Sequence, residues 1–128
     1  MPKRAVVAID FDGTICTHEF PDLGKLLSEA IEWMLKFQEV GARLILLTMR
    51  DDNDKVGPVL SDAIELCREH GIEFWAVNEN PEQKAWTDSP KVYANFYIDD
   101  NAVGCPLVYP PNGKRPYVDW SVIGPMVL

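Results

Sequence analysis

AVVAIDFDGT, at residues 5–14, runs from five consecutive apolar side chains straight into two aspartates and a glycine. An apolar run without polar alternation is the pattern of a strand covered on both faces, as in a parallel sheet. Asp10 and Asp12 straddle Phe11, so both carboxylates can face a crevice at the strand end while the ring packs away. Gly13 allows a sharp turn, and Thr14 can hold it with a side-chain hydrogen bond. Taken alone, the same residues read equally well as an Asx-type turn, because Asp-Gly closes many strands.

Outward from this stretch the chain alternates two kinds of segment. Three more apolar runs follow, Leu44 to Leu47, Phe74 to Val77 and Phe96 to Ile98. Between them lie two amphipathic stretches whose apolar residues recur at three- and four-residue steps. One carries Leu23, Leu26, Leu27, Ala30, Ile31, Met34 and Leu35; the other carries Val56, Val59, Leu60, Ala63, Ile64 and Cys67. Gly41 and Gly71 follow them where a left-handed helix cap belongs. Strand, helix, strand, helix, strand predicts right-handed crossovers and an α/β fold: a three-layer, Rossmann-like, mainly parallel sheet with helices on both faces. Residues 78–90 read as a loop with a helical turn, and 107–117, centred on Pro110 to Gly113, as a turn or small hairpin. Residues 119–128 suggest a short helix, against which Gly124 and Pro125 argue. No repeat or linker divides the chain, so residues 1–128 read as one domain.

Bulk properties narrow the function classes. The chain has 128 residues, 47% hydrophobic and 25% charged, with a net charge of −8. That acidity argues against nucleic acid or an anionic membrane as partner, though it leaves room for a local cationic pocket. The three cysteines, Cys16, Cys67 and Cys105, have no short paired spacing, which disfavours a disulfide framework or a zinc site and suits a reducing cytoplasm. The apolar run before Asp10 is too short for a signal-peptide core or a membrane span.

In open parallel sheets, ligands bind beyond the carboxyl ends of the strands. The apolar runs end at Asp10, Thr48, Asn78 and Asp99-Asp100, with Asp12 just beyond the first. Unit charges about 4 Å apart repel by roughly 4 kcal/mol at an effective dielectric near 20. Four acids on one rim therefore call for a cation or a proton. Magnesium, an oxygen-seeking ion content with one or two carboxylates plus water and phosphate, is the natural candidate; calcium needs more protein oxygens than these loops offer. A metal-free rim of solvated acids is the alternative.

DFDGT after the first strand, LLTMR ending the second and YIDD ending the last resemble motifs of the haloacid dehalogenase superfamily, in the same order over about residues 5 to 105. Neither customary insertion point has room for a cap domain, so the chain resembles the capless branch. The resemblance implies a phosphomonoesterase with Asp10 as nucleophile, forming an aspartyl-phosphate that water hydrolyses. It implies Asp12 as general acid and base, and Mg2+ held by Asp10, the Asp12 carbonyl and Asp99, with Asp100 ligating directly or through water. Thr14, Thr48, the Met49 amide and Arg50 would meet the substrate, and a lysine would neutralise the phosphate. Lys91 and Lys84 both qualify; Lys91, opening SPKVYANFYIDD, is favoured.

Other residues carry weaker signals. Arg50 could reach substrate or form a surface salt bridge. His18 reads as a solvated loop residue, His70 as a helix C-terminal partner, and Asp51 to Asp54 as a solvated loop or helix N-cap. Trp33, Trp75 and Trp120 belong to the core or its edge, leaving Trp86 as the one tryptophan that could stack on a substrate. A small phosphorylated metabolite or nucleotide fits the charge better than a macromolecular phosphate, and an open site could be closed by a second subunit. A phospho-accepting signalling domain is disfavoured, since its acceptor Asp would end the third strand, where Asn78 stands. A non-catalytic phospho-ligand binding module remains the other alternative.

Overall fold

The computed structural model describes all 128 residues. Four parallel strands form the central sheet: β1 (Val6–Ile9), β2 (Arg43–Leu46), β3 (Ala76–Val77) and β4 (Phe96–Ile98), in the order β3-β2-β1-β4. Ile9 aligns with Leu46 on one side and Ile98 on the other, so the carboxyl ends of the three strands lie level. Helix α1 (Ser28–Glu39) connects β1 to β2 and α2 (Val59–Glu69) connects β2 to β3. Both connections step in the same direction, so right-handed crossovers put both helices on one face. The return from β3 to β4 passes β2 and β1 in the other direction, and the same rule sends it across the opposite face.

The two cores follow this division. Val7, Ile9, Leu44 and Leu46 share a cluster with Ala30, Met34 and Phe37 of α1 and Ala63 and Cys67 of α2. Val6, Ala8 and Ile45, which alternate with them along the strands, pack instead with Ala94, Val92 and Trp75. The expected mainly parallel, three-layer α/β arrangement is present. Its second outer layer is thin: the 3-10 turn Gln83–Ala85 and the extended chain around it. Buried Gln83 holds that layer together, its amide donating to the Ser89 and Lys91 carbonyls and accepting from the Tyr93 N–H.

Element boundaries differ from the sequence reading for local reasons. The first helix begins at Ser28, not Leu23, because residues 25–27 pair with the chain after β1. Thr17 N–H donates to the Lys25 carbonyl at 3.0 Å and Leu27 N–H to the Ile15 carbonyl at 2.9 Å. The second helix starts at Val59 rather than Val56, since Gly57 sits at φ +84° and Pro58 precedes the first turn. Asp52 reaches eight residues forward to accept from the Leu60 N–H at 2.8 Å, acting as a remote cap. The third strand keeps only Ala76 and Val77 of its predicted run.

Beyond β4 the chain forms an antiparallel hairpin, β5 (Leu107–Val108) and β6 (Tyr117–Val118), then helix α3 (Trp120–Val127). Asp119 caps α3 through the Ser121 N–H at 3.1 Å. Gly124 and Pro125 both lie within this helix, and the glycine has a packing reason: a Cβ there would sit 2.1 Å from the Trp33 ring of α1. Trp120 is 1% exposed and donates its indole N–H to the Thr14 carbonyl at 2.7 Å, fixing α3 to the turn after β1. No helix is long and apolar enough to cross a membrane.

Candidate functional site

Asp10 follows β1, and its amide still donates to the Ile98 carbonyl of β4 at 3.0 Å. This shared ladder sets Asp10 beside Asp99, although 89 residues separate them (99 − 10). Carboxylate oxygens of Asp10, Asp99 and Asp100 all lie within 4.8 Å of one another. Thr14 is the inner clamp of this group. Its hydroxyl lies 3.1 Å from Asp10 Oδ2 and accepts from the Asp100 N–H at 3.2 Å. Gly13 makes the turn possible at φ +81°, and a Cβ there would fall 2.0 Å from His18 Nε2 and 2.5 Å from Asp100 Oδ2.

The crowding has an electrostatic consequence. Asp10 is pushed up to about 8, first by burial, then by the Asp99 charge and by the hydrogen bond and charge of Asp100; Thr14 opposes the shift. Without a cation the folded protein holds a proton here between about 4 and 8, whereas the unfolded chain has lost it above the ordinary aspartate value of 3.8. The folded state thus binds more protons in that window, and stability falls as pH rises through it. In EDTA, the thermal midpoint should decline from pH 5 to pH 9 by more in wild type than in Asp10→Asn. Equal slopes for the two proteins would contradict the shift.

Asp12 lies outside this trio. Both its oxygens are taken by Arg50, at 2.8 Å from Nε to Oδ2 and 2.8 Å from Nη2 to Oδ1. Arg50 is 2% exposed, which corrects both the substrate-facing and the surface-salt-bridge readings. Its three remaining hydrogens go to the carbonyls of Asp22 at 2.8 Å, Val59 at 3.0 Å and Pro21 at 3.5 Å, and its Cζ lies 4.9 Å from the Phe11 ring centroid. With its donors spent inside the protein, Arg50 has none to offer a substrate.

Thr48 lies just past Leu47, whose amide still bonds the Ile9 carbonyl at 2.9 Å. The Thr48 amide donates to Asn78 Oδ1 at 2.8 Å, so that amide is occupied, while its hydroxyl accepts from the Arg50 N–H at 3.1 Å and keeps its own hydrogen to give. Asn78 holds φ +54°, a conformation asparagine tolerates. Met49 is exposed, its side chain in solvent beside Thr48.

Neither candidate lysine forms an ion pair. The Lys91 ammonium lies 5.9 Å from the Tyr97 ring centroid, and Tyr97 also borders the cleft of about 270 Å³ that contains Asp10 and Asp99. Lys84 lines a separate cleft with Asn78 and Thr87 that contains none of the predicted acids. Neither lysine lines the cleft that contains Asp10 and Asp99.

His18 is the residue that sequence reasoning undervalued. Its Nε2 lies 2.9 Å from Asp100 Oδ2, and the two side chains are 12% and 6% exposed. The signal available was proximity, four residues past Thr14, but a chain reversal that returns an imidazole to a distant aspartate leaves no periodic trace. His70 bonds the Leu66 carbonyl at the end of α2, as expected. Trp86 is exposed, edge-on to Tyr93, and lines none of the clefts near the acids. Cys16 and Cys67 are unpaired and buried, with burial pushing each thiol up to about 12.

These features define a class: a parallel α/β protein with an acidic rim at the carboxyl ends of β1 and β4. No family model matches the chain, and no curated protein does. Among solved structures, a conserved protein from Bacteroides thetaiotaomicron is 36% identical and superposes with a TM-score of 0.73, over 96% of this chain and 88% of that one. The chain belongs to one family with that Bacteroides protein.

Proposed function

We propose that the protein is a magnesium-dependent phosphomonoesterase of the capless haloacid dehalogenase type, acting in the cytoplasm on a small phosphorylated metabolite or nucleotide. The observation that carries this reading is the trio Asp10, Asp99 and Asp100, with oxygens inside 4.8 Å. Three hard oxygen donors so close, one of them protonated for want of a counter-charge, suit a small divalent cation. Asp10 and Asp99 would hold it, with Asp100 beside them. When bound, Mg2+ supplies charge neutralisation for the nucleophile and the phosphoryl oxygens.

The chain's own groups account for the rest. Asp10 attacks phosphorus, with Thr14 fixing its second oxygen. Asp12 keeps a free lone pair on each oxygen despite the Arg50 fork, so it can take up a proton before the reaction, pass it to the leaving oxygen and recover one from the attacking water. Arg50 orients that carboxylate through two parallel hydrogen bonds. Thr48 offers its hydroxyl hydrogen to a phosphoryl oxygen, and Lys91 extends a cation toward the same group.

Hydrolysis of p-nitrophenyl phosphate tests the proposal. Purified protein with MgCl2 at neutral pH should release p-nitrophenol, and EDTA should stop it until Mg2+ is restored. Release undiminished by EDTA would remove the metal from the scheme. No release from p-nitrophenyl phosphate or from any of a panel of phosphorylated sugars and nucleotides would remove the phosphatase.

A further inference from the structure

A second cleft adjoins the acidic rim and has the opposite charge. It encloses about 530 Å³ between the chain after β1 and the β5–β6 hairpin loop, and its walls carry Lys25, Lys114 and Arg115. None of these three cations takes part in an ion pair, and Glu19 is the one carboxylate among the lining residues. In a chain of net charge −8, three free cations around a single cleft are a local reversal of sign.

Both walls are anchored to the turn that bears Asp10 and Asp12. On one side, the Lys25 amide donates to Thr17 Oγ1 at 2.9 Å, setting Lys25 next to His18. On the other, the Val118 N–H of the hairpin donates to the Gly13 carbonyl at 2.9 Å, tying to that turn the hairpin whose loop carries Lys114 and Arg115. His18 is the partition: it lines the cationic cleft while its Nε2 contacts Asp100. The basic recess thus lies on one side of His18 and the acidic trio on the other.

We infer that this recess is a subsite for a second anionic group, so that the preferred substrates are phosphomonoesters carrying a further phosphate or carboxylate. The inference rests on the phosphatase reading for the chemistry but not for the binding. One P–O ester bond breaks, water gives hydroxide to phosphorus and a proton to the alcohol oxygen, and the second anion stays on the product. The hairpin thus does for selectivity what a separate covering domain would otherwise do.

The probes are butanediol bisphosphate and hexanediol bisphosphate, each compared with its diol monophosphate. Wild type should show kcat/KM about tenfold higher for a bisphosphate than for its monophosphate, since charge-assisted contacts to a phosphate are the strong ones. The double variant Lys114→Ala/Arg115→Ala, altered on an exposed loop, should bring that ratio to within about twofold of unity. A matched control removing two cations elsewhere, Lys3→Ala/Lys55→Ala, should keep the ratio, which separates the recess from overall charge. Calorimetry in EDTA reads the same preference as a Kd ratio without turnover. Binding preference without cleavage would sustain the subsite and overturn the phosphatase. Cleavage with no preference in wild type, or a preference unchanged in the Lys114/Arg115 variant, would overturn the subsite.

Discussion

Asp10→Asn should lower p-nitrophenyl phosphate turnover at least about 10³-fold, because it removes the proposed nucleophile. The same substitution should raise the stability of the chelated protein at pH 9. Wild-type Asp10 must ionise there against burial and two adjacent carboxylates, whereas asparagine carries no charge. The amide can keep the existing hydrogen bonds, its oxygen accepting from Thr14 and its nitrogen donating to Asp100. The thermal midpoint in EDTA should rise by about 5 °C or more at pH 9 and change little at pH 5. A residue whose removal stabilises the fold while ending turnover is held in place by function. Retained turnover would sink the nucleophile, and an unchanged midpoint at pH 9 would sink the crowding.

Arg50→Met should be the most destabilising single change near the site, costing about 3–5 kcal/mol. It leaves the Asp12 carboxylate without its two hydrogen bonds and takes a donor from the Asp22 and Val59 carbonyls, in surroundings where the Arg50 side chain is 1% exposed. The double variant Arg50→Met/Asp12→Asn should recover part of that loss, because the unpaired charge is removed with it. Arg50→Lys keeps the charge but not the fork, so it should fall between wild type and Arg50→Met. Urea midpoints decide the order. A loss under about 1 kcal/mol in Arg50→Met would mean that the pair behaves like an exposed one.

How much of this was legible beforehand depends on the length scale of the signal. The parallel sheet was visible because buried strands leave continuous apolar runs, and the acids ending β1 and β4 were visible because the fold class assigns ligands to strand ends. Helix starts were less so. Leu23, Leu26 and Leu27 continue the periodicity of α1, yet the pairing of 25–27 with 15–17 depends on chain that periodicity does not describe. Arg50 is the sharpest case. An arginine two residues past a rim threonine suggests a substrate ligand, but the carbonyls of Asp22 and Val59, which belong to other parts of the chain, form a socket no local pattern records. His18 was hidden likewise, because its partner Asp100 lies 82 residues away.

The pairing of β1 with β4 also has a timing. Asp10 leaves the ribosome long before Asp99, and at about 5–20 residues per second the interval is roughly 5–20 s. Until β4 arrives, the nascent chain has one half of its acidic rim and an unpaired edge on β1. Assembly of the acidic rim is thus postponed until residues 96–100 have been made, and a product lacking them has only one of the three clustered carboxylates.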